Sequence, residues 1–595
     1  MKIIKKKLGR FSIIVRKFEN NIMTASVIIF GLALLTKVLG FVKLRLIAQT
    51  FGASRELDIF WASFVIPDLV FMLIIGGSVN AALLPAFVRL KKHNEKKLRQ
   101  VFNVVLFLTL ILWLILWAIL ILVFKFSGNG VVTFLVQMLR TTSHVGKLGL
   151  NQAYYMKNVN MFITLTILMF ASSLFLALSS IIGAFLLSYK RFVVNNLSPL
   201  LYNLGIILAI LLMQMFQIVN VYYLAWAIVF GSFLHFAVQF GFLFVVYRQV
   251  ITKFAKDVYY TFAKKTRYVL AEVKHIFTVA IPRMLGVGIE QVTVFFNTFW
   301  ALALGAGALS IYKFALSLHF LPIHLIGHSI AQAVFPSLNE TREKGKKKQL
   351  NGNFTRLFTK SFVLVLLLAG YTAVIIFVLK TPIVQILLGG GNFTQGMVYL
   401  TSLTLGVLSL SIILNSVLPL IIRVYYVLEE TKIPFLISLV GVFFNIVLGV
   451  MFSNLFGYDI VVEAIKKILW YGDFTPAFRL LPQVVPMMLH LARGKYSVVG
   501  LALGMSLGLI PEFLIAVINL KKRFPHVFDA RFFNAILGAI YSITIAGLLA
   551  FGTYKILKNM FIGMNLVNML IGSALVGIVG LIPLLIYYFL IYDRS

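Results

Sequence analysis

Apolar stretches of about twenty residues recur along almost the whole length of this 595-residue chain, divided by short connections. As helices rising about 1.5 Å per residue, such stretches cross a hydrocarbon core ~30 Å thick. A membrane barrel would instead show alternating segments of roughly ten residues. The expected fold class is therefore an all-α polytopic membrane protein. Composition points the same way: 12% of residues are charged and 61% hydrophobic, whereas soluble domains carry roughly 25% charge.

Spans are expected near 24–48, 58–84, 101–125, 160–187, 194–215, 219–247, 275–302, 307–338, 361–388, 396–427, 433–455, 497–520, 532–554 and 563–592, about fourteen helices. The loops between them alternate in charge. "RLKKHNEKKLR" (89–99), "YKR" (189–191), the 248–274 connection, "TREKGKKK" (341–348) and "KKRFPH" (521–526) are basic, while "EETK" (429–432) on the same side is not. The intervening "ALGAGAL" (303–309) and "LGGGNFTQG" (388–396) carry almost no charge. Basic loops stay on the cytoplasmic side, so both termini are expected there. The lead-in "MKIIKKKLGRFSIIVRKFENN" has no small-residue cleavage site and reads as a basic cytoplasmic segment that stays on the protein. The net charge of +36 is thus a property of the loops, and no nucleic-acid partner is expected.

Three connections stand out. Residues 126–159 read as a moderately polar outer loop. Residues 456–496 mix charge, aromatics and proline and read as amphipathic pieces at the outer membrane surface. The 248–274 connection is basic and divides six spans from eight, as in transporters made of two related halves. The expected organisation is residues 1–247 as a first lobe and 275–520 as a second. Residues 521–595 then form two C-terminal spans.

Catalytic machinery is missing from the sequence. It has no G-x-x-x-x-G-K-[ST] loop, no H-E-x-x-H and no paired intramembrane carboxylates. His319, His324 and His328 share one span, but their spacings of five and four spread them round it, so polar packing is expected rather than a metal site. With zero cysteines there is no disulfide or thiol chemistry. No enzyme activity and no cofactor are expected.

The intramembrane charges are the functional candidates, because a cation at mid-depth costs several kcal/mol unless it meets a partner or a wet cavity. Lys37 lies about 20 Å into the first span, beyond easy reach of either surface. Lys43 and Arg45 lie nearer its outer end, where snorkelling is open to them. Lys37 and Arg45 differ by about 80° on the helix, close enough to face one cavity; the alternative is packing against carbonyls at a helix break near Gly40. Arg283 and Glu290, seven residues apart on the seventh span, read either as a buried pair or as transport residues. Lys313 lies on the eighth. The cationic excess suits an anionic phosphate or pyrophosphate head group.

Several motifs in order resemble one family. "TKVLGFVKLRLIAQTFGASRELDIFWASFVIPDLVFMLIIGGSVNAALLPAF" (36–87) is similar to the S-R-V-L-G-F-x-R-D, F-G-A, D-A-F, P-N-L and G-A-F-x-x-A-F-V-P opening of the MurJ (MviN) lipid II flippases, members of the MOP exporter superfamily. "YKRFVVNNLSPLLYN" (189–203) resembles its N-R-F…P…N stretch, and 297–338 its seventh and eighth spans ending in P-S-L. "GGGNFT" and "RVYYVLEETKIP" (423–434) resemble Y-G-x-F-T and F-Y-A-x-x-D-T-x-T-P.

The resemblance implies two six-helix lobes around a cationic cavity of alternating access, with two C-terminal helices adding a groove for the lipid tail. It implies transfer of the lipid-linked peptidoglycan precursor between leaflets of the bacterial inner membrane, with membrane lipids and cell-wall synthesis proteins as partners. Lys37 and Lys43 occupy its two first-span arginine positions, and Asp58 matches the aspartate of D-A-F. The substrate-binding set is then Lys37, Lys43, Arg45, Asp58, Arg283, Glu290 and Lys313. Three positions depart: Leu44 replaces an aspartate, and Phe71 and Ser317 stand where head-group arginines are expected. Lys313, one turn before Ser317, reaches the same volume. Competing readings are an exporter of another lipid-linked oligosaccharide or amphiphile, and a transport-inactive scaffold.

Overall fold

The computed structural model describes residues 22–76, 82–126, 152–264, 266–341, 352–430, 432–561 and 566–592. The basic lead-in, most of the 126–159 loop and the basic loop after Thr341 lie outside them. Every named element is helical. The helices are α1 (Ile22–Phe51), α2 (Arg55–Ser63), α3 (Val65–Phe71), α4 (Leu84–His93), α5 (Glu95–Phe126), α6 (Gln152–Ser188), α7 (Phe192–Met215) and α8 (Val221–Val246). Next come α9 (Arg248–Thr252), α10 (Phe254–Ala263), α11 (Arg267–Leu304), α12 (Ala308–Pro322), α13 (Ser329–Glu340), α14 (Gly352–Val378), α15 (Lys380–Leu388), α16 (Gln395–Ser409) and α17 (Ile412–Val427). The last are α18 (Lys432–Leu455), α19 (Asp459–Tyr471), α20 (Thr475–Leu489), α21 (Ser497–Arg523), α22 (Ala530–Ile556) and α23 (Leu566–Ile586).

Among the described residues, twelve helices are long and apolar enough to cross a membrane. Counting α16 and α17, bent by 40° at their junction, as one further span makes thirteen. The expected seventh span lies on α11, a continuous helix of 38 residues that is not in that count. π-helical turns interrupt two expected spans, at Met72–Gly76 after α3 and Ile323–His328 between α12 and α13. The expected 361–388 span is divided between α14 and α15.

The chain forms two compact units, residues 1–51 with 55–295, and 52–54 with 296–595. The boundary falls inside α11, after Phe295, so the 248–274 connection belongs to the first unit. In that unit α8 packs between α6 and α7, and α1 lies along α7. Its core joins Phe87, Phe102 and Phe185, whose rings are 4.5–6.4 Å apart. In the second unit α18 and α21 run closely together, and α22 packs on α14 and α23. There the Phe358, Phe528 and Phe532 rings cluster at 5.0–6.4 Å, Phe358 stacked on Phe532 and Phe528 edge-on to both.

The connection is anchored by acids. Arg99 Nε donates to Asp257 Oδ2 at 2.9 Å, and Asn103 Nδ2 reaches the same oxygen at 2.9 Å and the Val250 carbonyl at 3.1 Å. These bonds hold α10 on α5. Arg89 and Lys97 both pair with Glu272, the latter at 2.9 Å, which ties the start of α11 to α4 and α5. Burial raises the Glu272 carboxyl, but the hydrogen bond and charge of Lys97, with those of Arg89, outweigh it and hold the pKa below the usual carboxylate value.

Candidate functional site

The cations of α1 divide between two faces. Thr36, Gly40 and Lys43 recur at intervals of four and three, so they form one stripe along the helix. That stripe meets α7. Lys43 Nζ donates to Asn203 Oδ1 at 2.9 Å and sits 5.1 Å from the centre of the Tyr202 ring. Asn203 Nδ2 donates to the Thr36 carbonyl at 3.2 Å. A Cβ at Gly40 would lie 3.8 Å from Asn203 Nδ2, an ordinary van der Waals contact, so the clip does not depend on glycine there. Asn203 therefore clips α1 to α7 at two levels, and Lys43 commits one of its three ammonium hydrogens inside the first unit.

Lys37 lies about 100° round the helix from Thr36, and Arg45 about 180°. Both are off the α7 stripe: Lys37 is exposed and Arg45 half-buried. Asp58 is fully buried in the first turn of α2 beside Glu56, where the helix N-terminus favours negative charge. Leu44 is buried, and Phe71 packs against the core of the unit. Glu290 is exposed on α11, while the side chain of Arg283 lies outside the described residues.

In the second unit Lys313 is half-buried and Ser317 exposed, one turn apart on α12. Ser317 Oγ turns back to donate to the Lys313 carbonyl at 2.8 Å. The start of α12 is set by Gly307, which has φ +83° and lies so close to Ala53 that a Cβ would come 2.3 Å from its carbonyl oxygen. Phe314 is buried against Phe393, fixing the rotation of α12 on the 390s turn. Farther along, His319 is fully buried, and the His324 and His328 rings stand 5.1 Å apart across the π turn. Among the described residues no group of three or more His, Cys, Asp or Glu side chains is placed to hold a metal ion.

Asn203 and Tyr202 received no role from the sequence, although they end the 189–203 stretch. Their signal was a polar residue after an aromatic inside an apolar span; the partner, 160 residues earlier, was not legible. A second polar set crosses the same unit. Ser179 Oγ donates to Gln239 Oε1 at 2.8 Å and lies 2.7 Å from His235 Nδ1, which must then carry the proton. Gln239 Nε2 continues to Asn195 Oδ1 at 3.2 Å. The set joins α6, α8 and α7 with its donors and acceptors matched.

The family model described as lipid II flippase MurJ matches residues 47–466, well over half of the chain. The chain belongs to the MurJ family. The probable lipid II flippase MurJ of Buchnera aphidicola subsp. Acyrthosiphon pisum is 25% identical over 426 residues, covering 71% of this chain and 77% of the relative. The lipid II flippase MurJ of Burkholderia cenocepacia is 25% identical over 425 residues, 70% of this chain and 76% of the relative. A solved lipid II flippase MurJ in an inward closed conformation aligns with a TM-score of 0.63 at 19% identity, covering 94% of this chain and 99% of that one. An inward-facing multidrug resistance transporter of the MATE family, in the MOP superfamily, aligns at 0.55 and 12% identity over 84% and 98%. The MurJ fold thus extends well past the end of the family match, to most of the chain.

Proposed function

We propose that this chain moves lipid II, the lipid-linked peptidoglycan precursor, from the inner to the outer leaflet of the bacterial cytoplasmic membrane. It does so by alternating access of a cationic cavity, without chemical change to the cargo. The observation that carries this reading is the MurJ family match over residues 47–466. We assign the principal head-group contact to Lys37, because it is exposed on the flank of α1, off the stripe that meets α7. Arg45 and Lys313 add positive charge, with Arg283 and Glu290 on α11 as further substrate contacts. Lys43 and Asp58 hold α1 and α2 in place from within the first unit. Lysine meets a phosphate as a compact point charge without the bidentate fork of arginine, so the head group is held less rigidly than an arginine pair would hold it.

Loop charge supports an orientation with both termini in the cytoplasm. Proteins that make and consume the precursor are the partners this cargo requires. Export of another lipid-linked oligosaccharide draws support only from Phe71 and Ser317 at expected arginine positions.

The test is rescue of a bacterium depleted of its own lipid II flippase. Growth with no build-up of the precursor is expected. Continued build-up, with the protein present in the membrane at normal level, contradicts the reading. Orientation is read in the same cells, because the chain has no cysteine of its own. Ser54→Cys, Ala306→Cys and Thr394→Cys label from outside and Lys346→Cys does not; the reverse pattern inverts the topology.

A further inference from the structure

The 456–496 insertion leaves the bundle after α18 and returns at α21. It holds two helices, α19 and α20, joined through Gly472, which takes the left-handed conformation at φ +65°. Leu455, Val461, Ala464 and Leu480 form a small core of its own. The insertion closes at its base by backbone contact: a Cβ on Gly494 would lie 2.4 Å from the Gly457 carbonyl oxygen, and one on Gly457 2.9 Å from the Arg493 nitrogen. Neither glycine tolerates a side chain without moving the other strand of the base. Ser497 Oγ accepts from Gly494 N at 3.0 Å, and Ser497 N donates to the Gly494 carbonyl at 3.1 Å. The backbone carrying Arg493 is therefore fixed.

Arg493 is held in this base with Nε and Nη1 buried and without a hydrogen-bond partner among the described residues. Leaving such donors unsatisfied is costly, more so for a charged group. Burial lowers the pKa of its guanidinium from the ordinary arginine value, and no carboxylate among the described residues offsets that. Two further cations gather on Tyr496, three residues after Arg493. Lys466, from α19, and Lys495 have their ammonium groups 5.3 and 5.9 Å from the centre of the Tyr496 ring. Asp459 and Glu463 on α19 form no ion pair with these three cations among the described residues.

The depth of this group follows from α18. Its 24 residues extend about 36 Å, slightly more than the ~30 Å hydrocarbon core. Gly457 lies two residues beyond the end of α18, and Arg493 precedes the start of α21 by four residues. If these helices span the bilayer, the base of the insertion lies at the level where lipid phosphates lie.

We propose that Arg493, Lys466 and Lys495 form a phosphate-binding site at the base of the insertion, separate from the transport residues of α1 and α12. The guanidinium fork is suited to two phosphate oxygens, and the lysines supply surrounding charge. The phosphate belongs either to a bilayer phospholipid or to a free anion, and the two sources share this chemistry. The competing use of Arg493 is donation to Asn454 Oδ1, which is also buried without a donor among the described residues.

The test uses the purified full-length chain in two arms. In the first, native mass spectrometry counts phosphatidylglycerol retained from nanodiscs that also contain phosphatidylcholine. In the second, calorimetry measures binding of inorganic phosphate in detergent. Arg493→Gln is expected to lower binding about ten-fold, and the Lys466→Gln, Lys495→Gln double variant about three-fold, in whichever arm reports the ligand. The first arm identifies a lipid phosphate, the second a free one, and either result supports the site. Equal binding by wild type and both variants in both arms overturns it and favours the Asn454 contact. The double variant alters only exposed positions, so it decides the matter even if Arg493→Gln does not fold.

Discussion

The 248–274 connection and the 456–496 insertion are both polar excursions between apolar helices, yet they use their cations in opposite ways. In the connection buried Asp257 and half-buried Glu272 each gather more than one partner: Asp257 takes Arg99 and Asn103, and Glu272 takes Arg89 and Lys97. Side-chain charge holds that segment to the first unit. The insertion is closed by glycine backbones, and Arg493 is left with buried, unpartnered nitrogens among the described residues. Where cations are matched within the protein they act as structure. Where the backbone already sets the shape, Arg493 keeps nitrogens without a partner among the described residues. The same division separates Lys43, bonded to Asn203, from exposed Lys37 one face away.

The largest expected effect breaks the matched side of this comparison. Asp257→Ala strands Arg99 and Asn103 in a buried setting and is expected to cost about 3–5 kcal/mol. Thermal unfolding of the purified chain should show it, with α10 becoming accessible to protease. An unchanged melting temperature would mean that α10 is not held by this acid.

Next is the clip between α1 and α7. Asn203→Ala removes the acceptor of Lys43 and the donor to Thr36, at an expected cost of about 1–3 kcal/mol. Lys43→Met made in the same background should recover part of that loss, because no cation is then left without an acceptor. Strict additivity of the two changes would deny the coupling.

The smallest effect concerns Glu272. Arg89 is half-exposed, so the pair is expected to contribute only about 0.5–1 kcal/mol. Its folded pKa lies below the ordinary carboxylate value, so the contribution is present above that value and is lost as pH falls through the folded pKa. The stability gap between wild type and Glu272→Gln should therefore close in acid. A gap that widened as pH fell would reverse the sign and rule out the pairing.

Periodicity and loop charge made the helices legible, since long apolar runs leave little choice of secondary structure. The pairing of their polar residues was not legible. Lys43 and Asn203 are 160 residues apart, and Arg99 and Asp257 158 apart, and no local pattern announces either contact. The π turns at Met72–Gly76 and Ile323–His328 were also hidden, because their residues suit a continuous helix. In α20 the helix runs through Pro482 and Pro486, where sequence alone argues for a break. For the candidate site, spacing separates Lys37 from Lys43 by about 120° on the helix. Only the packing of α7 shows which of the two is already engaged.

The central claim is that the exposed cation of α1, and not the engaged one, meets the cargo. The direct measurement is rescue of a flippase-depleted bacterium by Lys37→Ala and Lys37→Arg, with membrane abundance recorded alongside precursor accumulation. At normal abundance, Lys37→Ala is expected to abolish rescue and Lys37→Arg to retain it. Full rescue by Lys37→Ala would contradict the account and remove Lys37 from the site.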